Sequence, residues 1–264
     1  MRIVRFVPLE SAKLGADPLY GILENETITV VKGDPIYVGV VPTTITVGLA
    51  DVRLLAPVIP RSKVVCVGKN YADHAKEMDS VVPEEPVIFL KPNTAVIGPN
   101  DIIQWPRMSE RVDFEGELAI VISRICKDVP KEKYQDVIFG YTIANDVTAR
   151  DLQKKDGQWN RGKGFDTFCP LGPWIETEFK PEGQKIISKL NGEIKQSEPL
   201  SSMIFKIPTI IEFITSVMTL LPGDVILTVT PAGIGPMPAN SEISITIEGI
   251  GTLRSEEHTS ELQS

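Results

Sequence analysis

The chain is poor in the residues that usually advertise chemistry. Of its 264 residues only two are histidine, His74 and His258. Cysteine occurs three times, at Cys66, Cys126 and Cys169. That count is odd and contains no C-x-x-C pair, which argues against a disulfide framework or a zinc knuckle and leaves buried free thiols as the expectation. No apolar run approaches the ~18 residues needed to span a bilayer. The opening MRIVRFVPLE has no secretory h-region, so a cytoplasmic protein is expected. Positive charge is also in deficit: the formal net charge is −8 and the pI about 5.0. Such a surface repels phosphate backbones, so nucleic acid is excluded as the expected partner. Internal repeats and low-complexity tracts are missing as well.

What remains is enough to build a core. Hydrophobic residues make up 42% of the chain, which excludes disorder. Residues 1–57 read as short strands (RIVRFV, YGILE, TITVV, ITVGL) punctuated by Gly, Pro, Asn and Asp, and form an expected small β-rich domain. Pro57 and Pro60 mark a stiff boundary, after which 61–253 form the second expected domain. There KVVCVG and VILTVT read as buried strands, NYADHAKEM as a helix capped by Asn70 or Asp73, and PTIIEFITSVMTLLPGD as an amphipathic helix. On that helix Ile210, Ile214, Val217, Met218 and Leu221 are expected to share the apolar face. Strands dominate and no βαβ rhythm repeats, so the expected class is α+β with mixed or antiparallel sheets. The segment RSEEHTSELQS, 254–264, is polar and aperiodic after a clean strand pattern, and is set aside as a non-native tail.

The segment RVDFEGELAI places Asp113, Glu115 and Glu117 at alternate positions leading into an apolar run. On one continuous strand they would share a face, about 7 Å apart. Each neighbouring pair would repel by about 2.4 kcal/mol at an effective dielectric of 20. Either a solvated edge or a bound cation would relieve that repulsion. An all-carboxylate set favours a hard, oxygen-loving divalent ion. Asp146, at the end of the strand-like YTIAN, is a third candidate ligand or else an N-cap. Arg150, Lys154, Lys155, Arg161 and Lys163 concentrate positive charge in an otherwise acidic chain, suiting either an anionic small molecule or surface ion pairs. His74 and Glu77 are spaced to meet on one helix face, where a carboxylate would orient an imidazole base, although an inert surface pair has the same spacing. The Gly-rich loop TPAGIGP is not a dinucleotide fingerprint and opens no helix.

Taken together, GKNYADHAKEM, FLKP, DFEGELAIVI, GYTIANDVTARDLQ, KGFDTFCPLGPW, LNGE, LPGDVIL and TPAGIG resemble the fumarylacetoacetate hydrolase superfamily, in its acylpyruvase-like and hydroxyhepta-diene-dioate isomerase-like branch. They occur in family order over roughly residues 62 to 253. The resemblance implies a mixed β-sandwich roll, a Mg²⁺ (or Mn²⁺) centre and a homodimer. By motif, Glu115, Glu117 and Asp146 would be the metal ligands. His74 and Glu77 would activate water from a lid helix, Lys163 would contact the substrate oxyanion or carboxylate, and Lys69, Gln153 and Thr230 would bind substrate. The substrate would be a small anionic oxo acid or dicarboxylate. The implied reaction is hydrolysis of a C–C bond in an acylpyruvate, with oxaloacetate decarboxylation or isomerisation of a hydroxyheptadienedioate as the alternative. Two positions depart from the pattern: Val229 stands where glycine is usual and Lys69 where arginine is common. Asp113 matches no ligand and is assigned as an acceptor behind the metal.

Overall fold

A computed structural model gives the architecture. It describes residues 1–77 and 81–259. The side chains of His74, Ala75, His258 and Thr259 also lie outside the described residues. The core is organised by a 12-stranded sheet. Its main path runs Pro42–Gly48, Thr27–Val31, Leu19–Glu24, Arg2–Pro8, Cys169–Glu176, Ile138–Asn145, Gly116–Ile122, Val225–Leu227, Val64–Gly68 and Val87–Lys91. Among the described residues a five-stranded sheet and a three-stranded one complete the strands. Helices are few and short, the longest being Ile207–Val217. Among the described residues no helix is long and apolar enough to cross a membrane.

The strand-rich class follows from the sequence pattern. Val, Ile and Leu crowd the central strands, and Gly116–Ile122 is buried along its whole length. A strand apolar on both faces must be covered on both faces. On one side Phe114, Leu118, Ile120 and Ile122 share a core with Ile186, Ile243 and Ile245 of the five-stranded sheet. On the other, Ala119 and Val121 pack with Val64, Cys66, Cys169 and Leu227. The three cysteines are free and buried.

The first 57 residues hold a small core of their own, including Val4, Phe6, Ile28 and Val47. Their sheet is nonetheless continuous with the larger one, because Arg2 pairs with Glu176 and Ile3 with Ile175. Two local expectations change. The helix stops at Val217, which is 55% exposed, so the apolar stripe is carried by Ile207, Ile210, Ile211 and Ile214 and does not run on to Leu221. The segment from Arg254 is not outside the fold. The strand Gly251–Thr259 pairs antiparallel with Glu242–Ile247 and parallel with Ile102–Trp105. Ser255 and Glu257 point inward while Arg254 and Glu256 face out, an alternation too short and polar to register as a strand in sequence.

Candidate active site

The three carboxylates are brought together by strand register. Glu117 projects from Gly116–Ile122, and Gly116 pairs with Asn145 on the neighbouring strand. Asp146 follows that strand end directly. Its N–H donates to the Glu115 carbonyl at 2.8 Å, while the Glu115 N–H donates to Asn145 Oδ1 at 2.9 Å. The ladder is therefore interrupted at Glu115, and the residues before it, Val112–Phe114, pair instead with Thr148–Ala149 and Gly235–Pro236. This break corrects the single-strand picture. Asp113 is buried but leaves the carboxylate cluster and points to two arginines. Gly116, between the two glutamates, is required by a close approach: a Cβ there would lie 2.4 Å from Ser188 Oγ.

One oxygen from each of Glu115, Glu117 and Asp146 lies within 4.8 Å of the others, and all three residues are buried. Two lysines are buried with them. Lys163 Nζ donates to Glu115 Oε2 at 2.8 Å and to Asp146 Oδ2 at 2.6 Å. Lys91 Nζ donates to Asp146 Oδ1 at 2.5 Å and to the Val147 carbonyl at 3.1 Å. Burial alone would lower the Lys163 ammonium, but Asp146 and Glu115 hold it above its ordinary value. Glu117 is served differently. Its Oε2 accepts from the Val229 N–H at 2.7 Å. Burial first, then repulsion from Asp146 and Glu115, pushes its carboxyl well above the usual carboxylate range. To aim that N–H, Val229 adopts φ 108°, a conformation a β-branched residue rarely takes.

The donor set matches the kind of metal that the family resemblance implies. Three converging carboxylates without histidine or thiol suit a hard divalent cation, and such an ion would relieve the repulsion that raises Glu117. The residues fit the ion.

Above this floor lies a pocket of about 640 Å³. Phe89 and Trp159 form one wall, their rings edge to face at 5.1 Å, and Lys163 Nζ lies 5.2 Å from the Phe89 ring. Lys69, Arg111, Arg150 and Lys154 supply positive charge, and Gln153, Val229 and Ile234 complete much of the lining. Asp113 organises the arginines. It accepts from Arg111 Nε and Nη2 at 2.8 and 3.1 Å and from Arg150 Nε at 2.9 Å. Arg150 also donates from Nη1 to Gln153 at 2.7 Å and from Nη2 to Glu115.

The structure thus gathers Glu77, Lys69, Gln153, Lys163, Glu115 and Asp146 around one pocket, with Glu117 beneath it. Glu77 sits on the helix Ala72–Glu77 and accepts from the Gly233 N–H at 3.1 Å, which joins that helix to the Gly-rich loop. His74 lies on the same helix, but its side chain is outside the described residues. Thr230 is not part of the lining; it is fully buried and its hydroxyl accepts from Gln196 at 2.7 Å. Of the basic cluster, Arg161 pairs with Asp156 at the surface. Arg111, Lys91, Phe89 and Trp159 were not found from sequence. A lysine inside the apolar run VIFLK was the one available signal, since buried lysine normally requires an anionic partner.

A buried tri-carboxylate floor under a cation-lined pocket, set in a mixed β-sandwich roll, defines an enzyme for small organic acids. The fumarylacetoacetate (FAA) hydrolase C-terminal family matches residues 63–256, and the Rv2993c-like N-terminal family matches residues 1–57. The chain belongs to the fumarylacetoacetate hydrolase family. It is 44% identical over 219 residues to the oxaloacetate tautomerase YisK of Bacillus subtilis (strain 168), covering 78% of this chain and 73% of that one. Among solved structures, 5-carboxymethyl-2-hydroxymuconate delta-isomerase from Mycobacterium smegmatis superposes with a TM-score of 0.90 at 47% identity, covering 98% of this chain and 100% of that one. Maleylpyruvate hydrolase from Sphingobium sp. SYK-6, in complex with manganese (II) ion and pyruvate, gives 0.80 at 28% identity, covering 98% and 99%.

Proposed function

We propose that the protein interconverts keto and enol, or double-bond, isomers of a small 2-oxo dicarboxylate, with Mg²⁺ or Mn²⁺ held by Glu115, Glu117 and Asp146. One observation carries the substrate class, and the relatives' names point to the reaction. Six cationic side chains in and beneath the pocket (Lys69, Lys91, Arg111, Arg150, Lys154 and Lys163) face five carboxylates (Glu77, Asp113, Glu115, Glu117 and Asp146). A divalent ion would raise that surplus of one positive charge to three. A pocket so charged favours a dianion over a monoanion. The tautomerase and isomerase relatives support the same assignment.

When bound, the ion supplies Lewis acidity to the oxo group and its neighbouring carboxylate, which favours the enolic form. The protein does the rest. Lys163 has three N–H donors, two of them on Glu115 and Asp146, and the third serves a substrate oxygen. Glu77, on the pocket wall, would take a proton from the substrate carbon beside the oxo group and return it to the enolic oxygen or the distal carbon of the isomer. Phe89 and Trp159 keep water from one side of the site.

A second reading, hydrolysis of the C–C bond of an acylpyruvate, is favoured by the same helix. There Glu77, which lines the pocket, would activate water together with His74, the partner that the family resemblance implies. The two readings separate in one assay. Metal-loaded protein is mixed with oxaloacetate, a 2-hydroxydienedioate and an acylpyruvate, and enol absorbance and products are followed together. Isomerisation with an intact carbon skeleton is expected. Cleavage products appearing as fast as the enol disappears would establish the hydrolase, or with oxaloacetate a decarboxylase. Inertness toward all three would remove both readings.

A further inference from the structure

We propose that Arg111 is the specificity-determining residue of this pocket: its guanidinium receives the substrate carboxylate remote from the 2-oxo acid head. The inference rests on the dicarboxylate reading above and assigns that second carboxylate a partner.

The four cations lining the upper pocket are not equivalent. Arg150 is spent. Its Nε, Nη1 and Nη2 donate to Asp113, Gln153 and Glu115 respectively, and its side chain is only 12% exposed. Lys69 and Lys154 end in point charges on flexible stems, and binding through them would cost side-chain entropy. Arg111 is both held and available. Its side chain is 50% exposed on the pocket wall, while Nε and Nη2 grip the two oxygens of Asp113, which is fully buried. A guanidinium carries five N–H donors. Two are used, and among the described residues Nη1 has no hydrogen-bond partner. The free edge is a planar fork, the geometry that binds a carboxylate through two parallel hydrogen bonds.

Strand pairing sets its position. The Arg150 N–H donates to the Arg111 carbonyl at 2.8 Å, and Val112 pairs with Ala149, so the two arginines emerge side by side. Asp113 then links them. Arg150 turns inward to Glu115 and Arg111 outward to the pocket. One buried carboxylate thereby joins the metal floor to the outer recognition group.

The test uses two ligands of equal chain length, oxaloacetate and 2-oxobutyrate, which differ in the distal carboxylate. Affinity is measured by calorimetry on the magnesium-loaded full chain, and kcat and KM are measured wherever turnover occurs. The wild-type protein is expected to prefer oxaloacetate. Arg111→Met should weaken oxaloacetate by about 10- to 100-fold, the size of a charged hydrogen-bonded contact. It should weaken 2-oxobutyrate by far less, with any loss of turnover falling mainly on KM. Arg111→Lys, which restores charge without the fork, should recover part of the preference. Unchanged melting temperatures would verify that both variants fold; should the methionine variant not fold, the lysine variant must still lose preference. Equal weakening of both ligands, or no wild-type preference, would overturn the assignment. A preference that vanishes in Arg111→Met without any isomerisation by wild-type protein would refute the proposed reaction and leave this recognition role standing.

Discussion

Replacing Val229 by glycine and by alanine should abolish or reverse the usual order of stability. Val229 is 4% exposed and sits at φ 108°, its N–H held by Glu117 Oε2. Truncation to alanine removes two buried methyl groups, about 1.6 kcal/mol, and keeps a Cβ in the unfavourable conformation. Going on to glycine removes about 0.8 kcal/mol more of burial and adds roughly 0.4–1 kcal/mol of unfolded-chain entropy. At an ordinary backbone position glycine would therefore lie about 1–2 kcal/mol below alanine. Here glycine also releases the strain of a non-glycine residue at positive φ, about 1–3 kcal/mol. The terms nearly cancel or favour glycine, so Val229→Gly should be at least as stable as Val229→Ala. Urea unfolding of the two variants beside the parent measures this directly, with equal m-values required for the comparison. A glycine variant less stable than the alanine variant by the ordinary 1–2 kcal/mol would refute the reasoning, because Val229 would then carry no strain.

Other outcomes follow from the buried charges. Lys163→Met leaves Glu115 and Asp146 short of a buried cation and should destabilise the metal-free protein by about 3–5 kcal/mol; added Mg²⁺ or Mn²⁺ should recover much of the loss, read as a shift in melting temperature. The raised Glu117 carboxyl sets a pH dependence. A folded-state pKa above the unfolded value of about 4.3 means that the folded protein binds more protons, so this group's contribution to metal-free stability falls as pH rises from about 4.3 and levels off above the folded pKa. Glu117→Gln should flatten that slope in urea titrations made in the presence of a chelator, and an unchanged slope would assign it to another group. Asn70 is fully buried, accepts from the Phe205 N–H at 2.5 Å and donates to the Phe205 and Thr228 carbonyls at 2.9 and 3.2 Å. Asn70→Ala should cost about 2–3 kcal/mol by leaving those backbone groups unpaired, measured by thermal or urea unfolding.

Much of the site was legible because its chemistry lies in short motifs. The match to the family's motifs singles out Glu115, Glu117 and Asp146, and register brings one oxygen of each within 4.8 Å of the others. The strand-rich class could be read from alternating Val and Ile and from the missing βαβ rhythm. Asp113 could not be placed. A period of two puts it on the face of the glutamates, but a single side-chain acceptor, Asn145 Oδ1, captures the Glu115 N–H and breaks that period. Lys91 was hidden because its partner is 55 residues away. Asn70 is one of two helix caps the sequence offers, the other being Asp73, whereas its side-chain partners lie 135 and 158 residues on. The join between the first 57 residues and the rest depends on Arg2 meeting Glu176, and such a pairing leaves no local trace. For Asp113, Lys91 and Asn70 what failed to show was a polar contact between side chains and groups distant in sequence.

The density of buried charge argues for function over stability. A buried ion pair seldom contributes more than the packed apolar residues it displaces. Here Lys91, Lys163, Asp113, Glu115, Glu117 and Asp146 are all withdrawn from water. The same strands and their neighbours carry apolar core residues, Cys66, Ala144 and Cys169 in one cluster and Val67 and Phe168 in another. Filling it with more such residues would serve folding better. The pattern of satisfaction within the network supports the same conclusion. Asp146 and Glu115 have cationic partners, while Glu117 accepts only the Val229 N–H among the described residues, and burial and repulsion push its carboxyl well above the usual range. A network selected for stability alone would have paired that carboxylate first. One selected to hold a cation needs its charge incompletely neutralised, and the position of Val229 shows the backbone conformation tolerated to keep Glu117 aimed.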